Sequence, residues 1–230
     1  MKNDKELFSY ESLAFFGRVN ASISHELKNI MAIISETAGL LNDITEMATE
    51  GHAINSDLLQ TSARSIMEEI QRGFKTIRQM NRFAHCVDTP VESVRLEEIL
   101  DLVINIAGYL AYSGTTRMRS LKNEKGIVVT SPLLLAAVVY HALIFSYKNS
   151  GPDAEIEIDL SQWNDKMWRI AIHGFNIKPF QTFPDEHLEK IAGSIGVGIQ
   201  CDRFNNRLDL DVPTNLDDYS IQSDGMTSAN

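Results

Sequence analysis

Two long segments with apolar residues at alternating four- and three-residue spacing constrain this chain more than anything else in it. In the first, Leu13, Phe16, Ile23, Leu27, Ile30, Ile34, Leu41 and Ile44 recur in heptad fashion. In the second, Leu59, Ala63, Ile66, Ile70, Gly73, Ile77, Met80 and Ala84 do the same. Such spacing draws a single apolar stripe down a helix. It predicts helices over 4–48 and 57–85, with Gly17 a weak point in the first but not a stop. The polar stretch from Glu50 to Ser56 joins them, with Ser56 as cap of the second. Two helices with one stripe each make an antiparallel hairpin, which cannot close a core by itself. Two hairpins from two copies can, as a four-helix bundle, so a homodimer is expected. Asn20, on the stripe, can set the register of such a bundle.

With Leu13, Leu27, Ile34 and Leu41 at one heptad position, His25 falls furthest from the seam, where its imidazole meets solvent. An isolated histidine there is ordinarily a plain surface residue. Its neighbours, Ser24-His25-Glu26-Leu27-Lys28-Asn29, point elsewhere. They resemble the phosphoacceptor motif of the two-component sensor histidine kinases, S-H-E-L-[RK]-[TN], and the resemblance extends over the surrounding helix and the second helix. It implies that His25 carries a phosphoryl group. It implies that Glu26 and Asn29 serve proton handling and dephosphorylation of a partner. One departure is Ile30, where the family usually has proline; without the bend proline imposes, a straighter helix is expected.

The residues support this chemistry directly. Neutral imidazole, with an ordinary pKa of about 6.5, is a nitrogen nucleophile at cell pH. His25 and Asn29 are i and i+4 and share a helix face, so the Asn29 amide can hold a water in line with a phosphorylated aspartate on a docked partner. Lys28 can add positive charge beside the phosphoryl group. Glu26 is rotated away from Asn29 and can orient the ring; alternatively Glu26 and Lys28 are an ordinary solvated face. Arg18, Ser22 and Lys28 are expected to form the surface that docks receiver domains, although Arg18 also suits a plain surface position.

The 230 residues carry a formal net charge of −10, which argues against nucleic acid, whose binding needs clustered Lys and Arg. No apolar run reaches the length of a membrane span. The start, MKNDKELFSYESLAFF, carries acids within its apolar run and is not expected to be a signal peptide. Cys86 and Cys201 lack metal-type spacing and read as reduced thiols. A cytoplasmic protein without membrane association is expected, and one without the input module of a typical sensor kinase.

After a break at 85–94 containing Pro90, the pattern changes. A helix is expected over 97–112, then short extended pieces at 116–121 and 126–129. A largely apolar helix opened by Ser131-Pro132 follows, then strands at 155–160 and 167–172 and a short helix from Pro184-Asp185 to about Ala192. A last hairpin, 197–203 and 207–212, is expected to turn through Asn205-Asn206 in type I′ fashion. The fold class is α+β: a long helical hairpin (1–88, dimerisation and histidine phosphotransfer) and an α/β sandwich with one mixed sheet (92–213). An acidic tail expected to be disordered (214–230) ends the chain. The element order of the sandwich is similar to the ATPase domain of the same kinase family.

That family's ATP chemistry, however, is not found where it is expected. Tyr140-His141-Ala142 stands at the asparagine–alanine pair that binds Mg²⁺, and imidazole substitutes poorly for a hard oxygen ligand. His173-Gly174-Phe175-Asn176-Ile177 stands at D-x-G-x-G, and histidine cannot copy an acceptor-only carboxylate. No G-x-G lies between Asn176 and Glu186, which enclose Pro179, Phe180, Phe183 and Pro184. Ser194-Ile195-Gly196-Val197-Gly198 follows a helix rather than opening one, so it reads as a turn. The expectation is a histidine phosphotransferase that moves a phosphoryl group between receiver aspartates, with no cofactor of its own and Mg²⁺ held only by the receiver. The alternatives are an autokinase and phosphatase with an atypical ATP site, or a non-enzymatic receiver-binding scaffold.

Overall fold

The computed structural model describes residues 2–108, 115–120, 126–151, 153–178 and 181–216. The chain divides into two compact units: Gly17–Arg82, and Met1–Phe16 together with Phe83–Asn230.

The first unit is most of a helical hairpin made by α1 (Lys2–Thr49) and α2 (Ser56–His85). Gly51, at φ 94°, closes α1, with the His52 amide on the Met47 carbonyl at 3.1 Å, the bond that ends a helix on a left-handed residue. Asn55, not Ser56, caps α2: its Oδ1 accepts from the amides of Asp57 and Leu58, both at 3.1 Å. The expected stripes split in two. Val19, Ile23 and Ile30 are sealed, together with the polar Ser22, Glu26, Ser62, Thr76 and Gln79. Leu27 and Ile34 are half-buried, while Ile70, Ile77 and Met80 stay exposed, flanked by exposed Met67 and Phe74. A single helical neighbour covers only one edge of a wide apolar stripe. The polar residues on the covered edge are therefore buried ahead of the apolar ones on the other.

The second unit holds β1 (Glu92–Arg95), α3 (Leu96–Gly108), β2 (Thr115–Ser120), β3 (Ile127–Thr130), α4 (Pro132–Asn149), β4 (Glu155–Asn164), β5 (Met167–His173), α5 (Glu186–Ser194), β6 (Gly198–Asp202) and β7 (Arg207–Pro213). The expected stretch 109–112 of the third helix lies outside the described residues. A five-stranded mixed sheet runs β2-β4-β5-β7-β6, with β2 parallel to β4 and the other pairings antiparallel. In place of one sheet there are two, because Glu92–Arg95, which begins within the expected break and ends just past it, pairs antiparallel with β3. Alternation sorts the large sheet: Ile156, Ile158, Leu160, Trp168, Ile170, Ile172, Leu208, Leu210 and Val212 are buried on one face. α3 and α4 supply the facing apolar residues, among them Leu100, Ile106, Leu135 and Leu143. Phe15 sets its ring edge-on to Phe83 at 5.5 Å and to Tyr140 at 5.2 Å, and Phe16 stacks on Phe83 at 5.2 Å. These contacts tie the first turns of α1 and the end of α2 to α4.

The opposite face of the sheet carries charge. Arg169 forks onto Asp211 (Nε–Oδ1 2.7 Å, Nη2–Oδ2 2.9 Å) and lies 3.6 Å above the Trp163 ring. Arg207 Nη2 donates to Asp209 at 2.7 Å. The turn between β6 and β7 is not type I′, which needs positive φ at both central residues: only Asn206 has it, at 51°. Asp202 instead gathers the amides of Phe204 and Asn205, both at 3.0 Å. The chain remains in the fold past Pro213: the Thr214 amide reaches the Lys166 carbonyl at 2.8 Å, and its carbonyl accepts from Val129 at 2.9 Å. Residues 217–230 of the expected tail lie outside the described ones. No helix among the described residues is long and apolar enough to cross a membrane.

Candidate functional site

His25 sits on the exposed side of α1, with Ser24, Lys28 and Asn29 exposed beside it. One helical turn brings the Asn29 amide nitrogen to 3.3 Å from His25 Nδ1. The two ends of an amide have the same shape, so the Asn29 oxygen can take this place when Nδ1 carries the proton. Nε2 then presents a lone pair to solvent. This is the arrangement of a nucleophile with an orienting partner.

Glu26 is elsewhere. It is 7% exposed and lies against α2, where Arg72 Nη2 meets its Oε1 at 2.5 Å and Arg72 Nη1 meets Glu69 Oε2 at 3.2 Å. Burial pulls the Arg72 guanidinium down, but the charges and hydrogen bonds of Glu26 and Glu69 outweigh it and hold it above its ordinary value. The expectation that Glu26 orients the His25 ring is therefore corrected: its carboxylate is committed to the hairpin's interior. Ser22, at 8% exposed, is likewise not on the surface with Arg18 and Lys28, because it shares the covered edge with Ile23 and Glu26. Arg18 and Lys28 are exposed as expected. Sequence reasoning missed Arg72; its signal was an arginine beside Gly73, where the helix carries no side chain.

Three places that the resemblance gives to nucleotide contact are α4, the end of β5 and the connection to α5. They converge on rings. Phe145 of α4 stacks on Phe183 with centroids 4.5 Å apart and stands edge-on to Phe175 at 6.2 Å. The Asn176 amide bonds to the Asn149 carbonyl at 3.0 Å, drawing the connection onto α4. Gly174, at φ 91°, has no room for a side chain: a Cβ would meet the Glu155 carbonyl at 2.1 Å. His173 pairs with Asp159 at 3.3 Å on the sheet face away from the helices, and His141 lies among the rings of Phe15 and Tyr140. The side-chain amide and carboxylate oxygens at these places belong to Asn149, whose buried Oδ1 meets no hydrogen-bond partner among the described residues, to Asn176, and to Asp159, which pairs with His173. Sequence reasoning named Phe175 and Phe183 but missed Phe145, which an all-round apolar helix conceals.

No family model matches the chain, and no curated protein matches it. Among solved structures the chain is similar to histidine kinases. The Acinetobacter baumannii histidine kinase AdeS is 10% identical with a TM-score of 0.45, over 83% of this chain and 98% of that one. The blue-light activated histidine kinase EL346 of Erythrobacter litoralis is 11% identical with a TM-score of 0.46, over 86% and 63%. The mycobacterial sensor histidine kinase MprB is 15% identical with a TM-score of 0.44, over 54% and 97%.

Proposed function

We propose that this chain is a two-component phosphotransfer protein that carries a phosphoryl group on His25. The observation that carries the reading is the exposed imidazole with the Asn29 amide at its Nδ1, inside Ser24-His25-Glu26-Leu27-Lys28-Asn29. In the transfer, the Nε2 lone pair attacks the phosphorus of a receiver's aspartyl phosphate. The new P–N bond forms as the P–O bond to the acyl oxygen breaks, and the aspartate leaves as carboxylate. Asn29 keeps the ring turned by holding Nδ1–H, and Lys28 and Arg18 give the docking face positive charge on an otherwise acidic chain. Water, held by Asn29 once the receiver is docked, would make the same face a phosphatase.

The phosphoryl group comes from a receiver and not from ATP on this chain; the packing of Phe145, Phe175 and Phe183 supports that. The working form is a homodimer: Met67, Ile70, Phe74, Ile77 and Met80 lie exposed along α2 and a second hairpin would cover them. A second reading, an autokinase with an atypical nucleotide site, is favoured by the completeness of the sandwich, whose five-stranded sheet and α4 are intact.

Incubation with a phosphorylated receiver is expected to place acid-labile, base-stable label on the wild-type chain and none on His25→Gln. Absence of transfer to any receiver would leave the scaffold reading. Label on His25 from Mg-ATP alone would replace the relay with the autokinase.

A further inference from the structure

Where α2 ends, at His85, the chain wraps back on itself in successive turns. The Cys86 amide donates to the Phe83 carbonyl at 3.1 Å, Val87 to that of Ala84 at 3.5 Å and Asp88 to that of His85 at 3.1 Å. Phe83 and Cys86, at 1% and 8% exposed, anchor the stretch in the core. This backbone sets the Asp88 carboxylate against the His85 ring, with Nδ1 and Oδ2 2.6 Å apart. Both side chains are open to solvent, at 76% and 62%. An exposed pair of this kind adds little to stability; what it fixes is the orientation of the ring.

An ionised carboxylate accepts and cannot donate, so Nδ1 carries the hydrogen and Nε2 presents its lone pair to solvent. The Asp88 side chain has no other hydrogen-bond or ion-pair partner among the described residues, so its charge acts on this ring alone. His52 and His187 are exposed too, but their rings make no hydrogen bond among the described residues. They have the access of His85 without its partner.

We propose that His85 is a second phosphoryl-accepting imidazole, served by small donors of the phosphoramidate or acyl phosphate class. With phosphoramidate, Nε2 attacks the phosphorus, a new P–N bond forms, and the bond to the leaving nitrogen breaks. The ring gains positive charge in this step, and the Asp88 carboxylate at Nδ1 stabilises it. Nδ1 then releases its proton through solvent, and the leaving nitrogen takes one up and departs as ammonia. His85 bonds to the phosphorus; Asp88 acts through the ring and is a positioning residue. The site shares no residue with the His25 face, so it stands whether or not the phosphotransfer reading does.

The probe is phosphoramidate, incubated with the full chain at mildly alkaline pH. Mass spectrometry follows each histidine, and phosphorus NMR tells which ring nitrogen is modified. His85 is expected to react at least about tenfold faster than His52 and His187, and at Nε2 alone. Asp88→Ala and Asp88→Asn are expected to bring the His85 rate down to that of His52 and to spread the phosphoryl group over both ring nitrogens. Asp88→Glu, which keeps the carboxylate, is expected to keep the Nε2 product. His85 reacting no faster than His52 and His187 would overturn the proposal. So would an Asp88→Ala chain that keeps the wild-type rate and isomer.

Discussion

Arg72 decides what Glu26 can do. The carboxylate is buried, and its partner across the hairpin reaches it at 2.5 Å while remaining partly in water. Removing the guanidinium strands the carboxylate, which costs far more than losing a surface pair. Because the Arg72 side chain is 45% exposed, the expected loss for Arg72→Ala is moderate, about 1–3 kcal/mol, read from urea denaturation. A loss under about 0.5 kcal/mol would mark an ordinary surface arginine and contradict the buried pair. Asp202 offers a residue-scale test by pH. The Asn205 side chain, and then the amides of Asn205 and Phe204, hold its carboxyl below the ordinary aspartate value. A group depressed in the folded state stabilises it above its unfolded pKa and loses that contribution as pH falls through the folded one. The β6–β7 turn is therefore expected to be intact at neutral pH. The amide shifts of Phe204 and Asn205 should move only below about pH 4, and a midpoint near pH 5 would show that these hydrogen bonds are not made.

At the scale of elements, the hairpin separates what spacing can say from what it cannot. The 4-3 spacing correctly located both long helices and placed His25 on the wet side. It did not say which edge of each stripe meets the other helix, because one stripe serves two neighbours with the same residue types. Gly73 shows the difference. On the stripe it suggests close packing, yet a Cβ there would lie 3.7 Å from Ile30 Cγ2, an ordinary contact. Gly73→Ala is accordingly expected to stabilise the hairpin by about 0.5–1 kcal/mol, through helix propensity and a less free unfolded chain. Thermal denaturation checks this; a loss of stability would mean that the space is needed. The exposed edge has its own test. Ile70→Asp with Ile77→Asp is expected to turn the proposed dimer into a monomer in sedimentation velocity while helicity holds. An unchanged mass would reject the proposed four-helix assembly.

Across the whole molecule, the sheet's charged face is held as tightly as its apolar one. Asp211 and Asp209 are 7% and 2% exposed, yet Arg169 and Arg207 answer them. Arg169→Ala leaves both carboxylates under-compensated and uncovers Trp163; a cost of about 3–5 kcal/mol is expected, measurable as a lower denaturation midpoint. A change below about 1 kcal/mol would mean that water screens the pair. Alternation in β4, β5 and β7 made the two faces legible in the sequence. The pairing of Arg169 with Asp211 was not, because those residues lie on strands far apart in the chain and meet only through strand order.

By itself the sequence determined the periodicities: the helical hairpin, the exposed imidazole with an amide one turn on, and the alternating strands. Those follow from residue type and local spacing, which the backbone reads within a few residues. Tertiary structure alone decided that Glu26 turns inward to Arg72, that Ser22 is covered, that Glu92–Arg95 finds a strand partner in β3, and that Phe145, Phe175 and Phe183 close on one another. Each is a meeting of residues distant in the chain, chosen by which surfaces the folded elements can cover together rather than by any local preference.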